Sequence, residues 1–224
     1  MVLMFCLVAP LSSAFAGEPS RAFAPGPDIG PATEQAVVRA AQKSGLKPAV
    51  IRTALRAYHL AVREGAVKRS VLTVIDYSLP SHVRRLWVLD LEHATVLARE
   101  LVAHGRGSGK DVAQRFSNRP NSYESSLGTF VTADTYEGKN GLSLRLDGLN
   151  PGLNDHAMER GIVMHGAWYV SEAMVREQGR LGRSEGCPAL SPAVAPKIID
   201  MIRGGSVVFA YYPTPALRRA VGLS

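Results

Sequence analysis

The chain has 224 residues, with 26 Lys and Arg against 19 Asp and Glu, a formal net charge of +7 and 46% hydrophobic residues. That length holds one domain, or one domain with a small extension, and the composition excludes a disordered tail protein and a collagen-like repeat. Two cysteines, Cys6 and Cys187, are too few for a disulfide framework or a four-cysteine zinc site.

Residues 1–16, MVLMFCLVAPLSSAFA, carry no charge, and 13 of the 16 are hydrophobic. The run is too short to span a bilayer as a mature helix and ends in Ala14-Phe15-Ala16, the small-x-small pattern of a signal-peptide cleavage site. No Lys or Arg precedes it, so one element of a full signal is missing. The expectation is export to the periplasm or cell wall. Cleavage after Ala16 would leave Cys187 as the one thiol, a candidate for reactivity in an oxidising compartment.

Residues 17–31 are rich in Pro and Gly and read as a linker. Residues 32–69 read as a helical hairpin. Its first helix covers 33–44 and stops at Gly45. Its second opens at Pro48, carries Ile51, Leu55, Tyr58 and Val62 on one face, and stops at Gly65. The expected core contribution is limited. Between residues 31 and 69 lie eight basic and two acidic residues, so most of the net charge belongs here. Residues 39–69 form either a solvated helix face or a contact for an anionic envelope polymer. Export disfavours nucleic acid as a partner.

From residue 70 the pattern changes to short apolar runs: 71–75, 86–91, 96–102, 129–131, 142–146, 162–164 and 207–212. They are often β-branched or aromatic, with Gly, Asn, Asp and Pro between them, as strands are. Their spacing predicts a mainly β domain over 70–213, a β-sandwich or barrel-like sheet. Short helices fit 175–178 and 193–202, and residues 214–224 read as a C-terminal tail. The segment from His104 to Tyr123 is a long loop of the kind that often carries function. Its Gly105–Lys110 run is not a phosphate loop: His104 stands where the first Gly is needed, and Asp111 follows the lysine.

The residues with chemistry are in the last third. His165 ends an apolar strand and is followed by Gly166, and 22 residues later Cys187 follows Ser184-Glu185-Gly186. A thiol becomes a nucleophile as the thiolate, so it needs an imidazole to take its proton. It also needs donors for an oxyanion, and the N–H groups around Gly186 and Cys187 are the candidates, since glycine permits close backbone approach. Ser184 can orient the turn. His59, His82, His93 and His156 have no partner spacing, and no metal site or other cofactor is expected.

These residues resemble the signature of the YkuD-type L,D-transpeptidases, and more closely the murein L,D-transpeptidase catalytic-domain branch. The similarity runs through VIDYSLPS, RLWVLDL, VAHGRGSG, SSLGTF, GKNG, VMHGAWYV, GRSEGCPAL and GGSVVFAYY, over about residues 70–212. It implies that Cys187, activated by His165, attacks the position-three carbonyl of a peptidoglycan stem tetrapeptide. D-Ala leaves, and an amine or water resolves the thioester. It also implies a backbone carbonyl as the orienting partner of the histidine. Two departures stand out: Glu185 replaces the family's usual His, and Pro188-Ala189-Leu190 replaces its Arg soon after the cysteine. Arg183, Arg106 and Arg119 are candidates for that arginine's contribution, with surface ion pairing as the other reading. Trp168 is a further candidate for substrate contact, as is His104, for which a structural histidine is the preferred reading.

Alternatives stay open. Water as acceptor gives an L,D-carboxypeptidase. A sortase-like enzyme shares the order His, Cys, Arg, with Arg203 downstream, but not the Ser-Glu-Gly-Cys context. A non-catalytic cell-wall binding module would leave Cys187 inert.

Overall fold

A computed structural model describes residues 27–223. The signal-peptide reading, Cys6 and most of the linker lie outside the described residues. Helix α1 (Pro31–Lys43) starts on a proline, carries Glu34 in its first turn and Lys43 in its last, and ends where the Ser44 hydroxyl donates to the Ala41 carbonyl at 2.6 Å. Helix α2 (Pro48–Arg63) also starts on a proline. Its buried residues are Val50, Ile51, Ala54, Leu55, Ala57, Tyr58, Ala61 and Val62, a full helical face.

That face lies on the sheet, and its residues share one continuous core with the strands. The hairpin therefore contributes more core than expected. The cause is Ala54, Ala57 and Ala61, whose small side chains let the helix approach closely and give little hydrophobic signal in sequence. Burying Ile51, Leu55 and Tyr58 supplies roughly 1.5–3 kcal/mol for each large side chain. The basic charge is also partly internal. Arg56 donates to the carbonyls of Val221 and Gly222, both at 2.7 Å, and Arg69 to that of Arg203 at 2.7 Å.

The strands are β1 (Val71–Asp76), β2 (Leu86–Asp90), β3 (Thr95–Glu100), β4 (Gly128–Gly138), β5 (Gly141–Gly148), β6 (Val163–Gly166), β7 (Ala189–Leu190) and β8 (Val207–Tyr211). Among the described residues they form one eight-stranded sheet in the order β3-β2-β1-β8-β4-β5-β6-β7. The β1–β8 and β6–β7 pairs are parallel and the others antiparallel. Beyond β3, Ala103 bridges Ala189 of β7, its N–H bonding the Ala189 carbonyl at 2.9 Å. The two ends of the sheet thus meet, and the mainly β, barrel-like architecture expected from the strand spacing is the one observed.

Three elements differ from the sequence reading. β4 runs to Gly138, far past Val131, because its outer half is the exposed, polar arm of a hairpin with β5. β7 is only two residues long and carries no strand pattern of its own. The supposed tail contains helix α5 (Pro215–Ala220), capped by the Thr214 hydroxyl on the Leu217 N–H at 3.1 Å. Thr214-Pro215 is an N-cap signal that was there to be read. Helices α3 (Glu172–Gln178) and α4 (Ala195–Ile202) fall where short helices were expected, and α4 packs on β6, β5 and β1.

A buried polar cluster holds the start of the long loop. Arg85 is fully buried; it donates to the carbonyls of Val102 and Leu79, bonds His104 Nδ1 at 2.7 Å, and lies 5.2 Å from the Tyr77 ring centroid. The guanidinium can only donate, so His104 Nδ1 accepts and the neutral ring carries its proton on Nε2. Burial, with the Arg85 charge adding to it, pushes His104 down to about 4. A histidine whose folded pKa is depressed stabilises the fold above its unfolded pKa and loses that contribution as pH falls through the folded value. His104 accordingly gives about 3 kcal/mol that disappears between about pH 6.5 and about pH 4. Urea denaturation of the wild type and His104→Gln across that window checks this. The variant should show a clearly shallower decline, and equal declines would remove His104 as the cause.

Candidate active site

The Gly-rich loop and the cysteine turn are built against each other. The Ser184 N–H bonds the His104 carbonyl at 3.0 Å and the Arg106 N–H bonds the Ser184 carbonyl at 2.7 Å. A Cβ on Gly105 would stand 2.3 Å from the Tyr123 carbonyl oxygen and 2.8 Å from Gly186 Cα. The loop needs glycine in order to lie against the cysteine turn, which explains the run that superficially suggested a phosphate loop.

Two serines pin the turn. Ser184 Oγ donates to the Cys187 carbonyl at 2.6 Å and accepts the Gly186 N–H at 3.1 Å. Ser125 Oγ donates to the Gly186 carbonyl at 3.0 Å and accepts the Gly105 N–H at 3.0 Å. Ser184 thus bonds across the turn at both Gly186 and Cys187. The Gly186 N–H is taken up by Ser184, whereas the Cys187 N–H lies beside its own sulfur. Gly186 itself has φ +128°, and a Cβ there would meet the Glu124 carbonyl oxygen at 2.9 Å.

His165 is placed by β6, where it registers with Ala189 of β7. Its Nδ1 lies 2.9 Å from the Gly166 carbonyl. A carbonyl only accepts, so Nδ1 carries the proton and Nε2 is left with a free lone pair. Burial holds the ring below the usual histidine value; the Gly166 carbonyl opposes this and the Lys139 charge adds to it. The Cys187 sulfur accepts the Val163 N–H at 3.5 Å and its S–H faces the Gly161 carbonyl at 3.6 Å. Burial pushes the thiol up, the Val163 N–H and the Arg160 guanidinium pull it down, and Glu185 pushes it up. The resting pair is a neutral imidazole and a neutral thiol.

Both open into one cavity of about 650 Å³. Tyr136, Lys139 and Asn140 from the end of the β4–β5 hairpin line it, so the unexpectedly long β4 forms one wall. Ser184 and Arg183 line it as well, although Arg183 Nη1 is bonded to the Gly109 carbonyl at 3.0 Å. A second cavity of about 440 Å³ adjoins it through Lys139, Asn140 and Tyr169, and there Gly166 and Trp168, which is 76% exposed, are found.

The other expected contacts do not line the first cavity. His104 is buried against Arg85 and is a structural histidine. Arg106 stacks 3.8 Å from the Tyr123 ring centroid and pairs with Glu185 at 3.4 Å, while Arg119 is exposed on the long loop. Several lining residues escaped the sequence reading, among them Tyr136, Lys139 and Asn140 on the hairpin and, nearer the cysteine turn, Arg160 and Tyr169. Tyr169 had a signal, lying four residues after His165 in the same motif. Arg160 had none, since only the fold brings the turn before β6 beside the cysteine.

The model of the L,D-transpeptidase catalytic domain matches residues 42–211, which takes in α2 as well as the whole sheet. The chain belongs to that family. An L,D-transpeptidase from Mycobacterium smegmatis is similar at 18% identity over 65% of this chain and 60% of its own length, with a TM-score of 0.41. One from Stackebrandtia nassauensis is 16% identical over 80% of this chain and 78% of its own, with a TM-score of 0.39. One from Xylanimonas cellulosilytica is 16% identical over 87% and 100%, with a TM-score of 0.36. The chain thus spans less than two thirds of the Mycobacterium smegmatis protein it matches. No curated protein matches it.

Gly186 gives a sharp test of the turn. Gly186→Ala should cost about 1–3 kcal/mol in thermal or urea denaturation, because both the positive φ and the Glu124 carbonyl oppose a side chain. It should also change the alkylation rate of Cys187 at least about tenfold, since the turn that carries the sulfur must move. A variant with wild-type stability and thiol reactivity would show that the turn is not held as described.

Proposed function

We propose that the chain is a cysteine-dependent acyltransferase acting on peptidoglycan stem peptides, with Cys187 as nucleophile and His165 as general base and acid. One observation carries this reading. A thiol and an imidazole open into the same cavity, and the imidazole is fixed through Nδ1 so that Nε2 is available. Family membership supplies the substrate class.

In the proposed reaction the Cys187 proton passes to His165 Nε2 as the sulfur attacks the carbonyl carbon of the third stem residue. The Cys187 N–H stabilises the oxyanion that forms. The tetrahedral intermediate collapses to a thioester, and the imidazolium returns its proton to the nitrogen of the departing D-Ala. An amine of a second stem then attacks the thioester, His165 takes its proton, and that proton restores the thiol. Water in place of the amine gives the carboxypeptidase outcome. In the resting geometry the S–H faces Gly161, so the reaction begins with the sulfur turning away from that carbonyl.

This function belongs outside the cytoplasm, and the proposal includes export directed by residues 1–16. It also keeps the exposed Arg39, Lys43 and Lys47 as a contact with anionic envelope polymers. Binding to purified sacculi should then weaken several-fold between low and high salt. Salt-independent binding would remove that contact.

Incubation with purified tetrapeptide muropeptides, followed by mass spectrometry, tests the reaction itself. D-Ala loss and cross-linked dimers are expected, at least about a thousandfold reduced in Cys187→Ala. His165 must be neutral to accept a proton, so turnover should fall as pH drops through its depressed pKa. The acid limb of kcat/KM accordingly lies below about 6.5, the usual histidine value. No products, or full turnover by Cys187→Ala, would overturn the assignment.

A further inference from the structure

The residue that follows the cysteine in sequence is a proline, so whatever positive charge the thiolate meets must come from elsewhere in the fold. The structure places one there. Arg160 lies on the turn before β6, half-buried, and lines the same cavity as Cys187 and His165. One of its terminal nitrogens would be 3.4 Å from a Cβ on Gly186, the residue next to the cysteine.

What surrounds the guanidinium is informative. Nη1 donates to the Ser117 carbonyl and the Ser126 hydroxyl, and Nη2 donates to the Glu124 carbonyl at 2.7 Å and the Ser122 hydroxyl at 3.2 Å. Every one of these partners is a neutral oxygen of the 117–126 segment, the end of the long loop and its continuation toward β4. They hold the fork rigidly without cancelling its charge. The carboxylate of Glu124, on the same segment, is itself occupied with Arg115 at 3.5 Å. Of the ionisable groups that act on Arg160, the Cys187 thiol comes first and Glu124 second. A partly buried cation fixed by neutral acceptors is prepared for an anion, and the anion that forms beside it during the reaction is the thiolate.

We propose that Arg160 is the counter-ion of the Cys187 thiolate, a positioning residue that stabilises the ionised sulfur and holds the 117–126 segment against the cysteine turn. This deepens the reading of Cys187 as nucleophile and rests on it. The remaining charged and titratable groups facing the sulfur are His165 on β6, Glu185 on the turn, Tyr169 after β6, Tyr136 and Lys139 on the hairpin, Tyr77 after β1 and Arg183 before the turn. Glu185 works against ionisation. Arg183 is held on the loop carbonyls, and Lys139 acts on His165. Arg160 is the fixed charge among them that favours the thiolate.

The test follows alkylation of Cys187 by iodoacetamide across the neutral to alkaline range, read by intact mass, in the wild type, Arg160→Gln and Arg160→Lys. Removing an opposite charge at this range should raise the midpoint by about one unit or more, which slows alkylation about tenfold at a fixed pH below it. Arg160→Lys keeps the charge but loses the fork, so its midpoint should return at least halfway to the wild-type value. Arg119→Gln on the same loop should leave the midpoint unchanged. A folded Arg160→Gln protein with the wild-type midpoint would overturn the proposal, as would equal shifts in the Gln and Lys variants.

Should Arg160→Gln not fold, the wild type alone decides. Beside a fixed cation, the native thiol should favour anionic iodoacetate over neutral iodoacetamide about threefold more than the urea-unfolded chain does. An equal or smaller preference would overturn the pairing. The two readings fail separately. A raised midpoint without turnover on muropeptides supports the counter-ion and removes the acyl transfer. An unchanged midpoint with normal turnover removes the counter-ion alone.

Discussion

The parallel pairing of β6 with β7 is the contact from which the site takes its shape. His165 registers with Ala189, and Cys187 stands two residues before Ala189 on the segment that leads into the pair. The same Ala189 accepts the Ala103 N–H, so the register that sets the histidine and cysteine strands also joins the two ends of the sheet. Parallel strands need a long crossover, and residues 167–188 supply it with α3 and the cysteine turn. Twenty-two residues of sequence separation are thereby reduced to a shared cavity.

Around that register, the site is held by neutral hydrogen bonds. Ser184 and Ser125 fasten the turn, Gly166 fastens the imidazole, and serines and carbonyls of the 117–126 segment fasten Arg160. The consequence is electrostatic. Burial acts on Cys187 and His165 in opposite numerical directions but to the same end, since it penalises the charged form of each. The resting site is uncharged at both atoms, and in the proposed reaction the charge separation needed for attack is created only when the proton moves. On the same proposal the Arg160 guanidinium and the Cys187 N–H meet that charge.

Much of this was legible in the sequence, and the boundary has physical causes. The strands from β1 to β6 and β8 could be located because each contains an apolar run between turn residues, although the polar outer half of β4 gave no such signal. His165 and Cys187, which the fold brings to one cavity, could be singled out because their patterns are local: a strand-end histidine before glycine, and a cysteine after Ser-x-Gly. β7 could not, because two residues have no periodicity and its existence depends on Ala103 and His165 as partners. The weight of α2 in the core was hidden by alanines, which pack well but score weakly. Arg160 and Ser125 look like ordinary turn and loop residues in the chain, and only the fold converts them into neighbours of the cysteine turn. His104 is a case where the sequence admits both a functional and a structural reading, and its bond to the buried Arg85 supports the preferred structural one.

The central claim is that Cys187 carries the acyl group. The most direct measurement is intact-mass spectrometry of enzyme quenched in acid during reaction with a tetrapeptide donor and no amine acceptor, followed by peptide mapping. The account predicts an adduct equal to the donor less its terminal D-Ala, located on the peptide containing Cys187 and removed by hydroxylamine as a thioester is. An adduct on another residue, or product formation with no covalent species on Cys187 under any quench time, would contradict it.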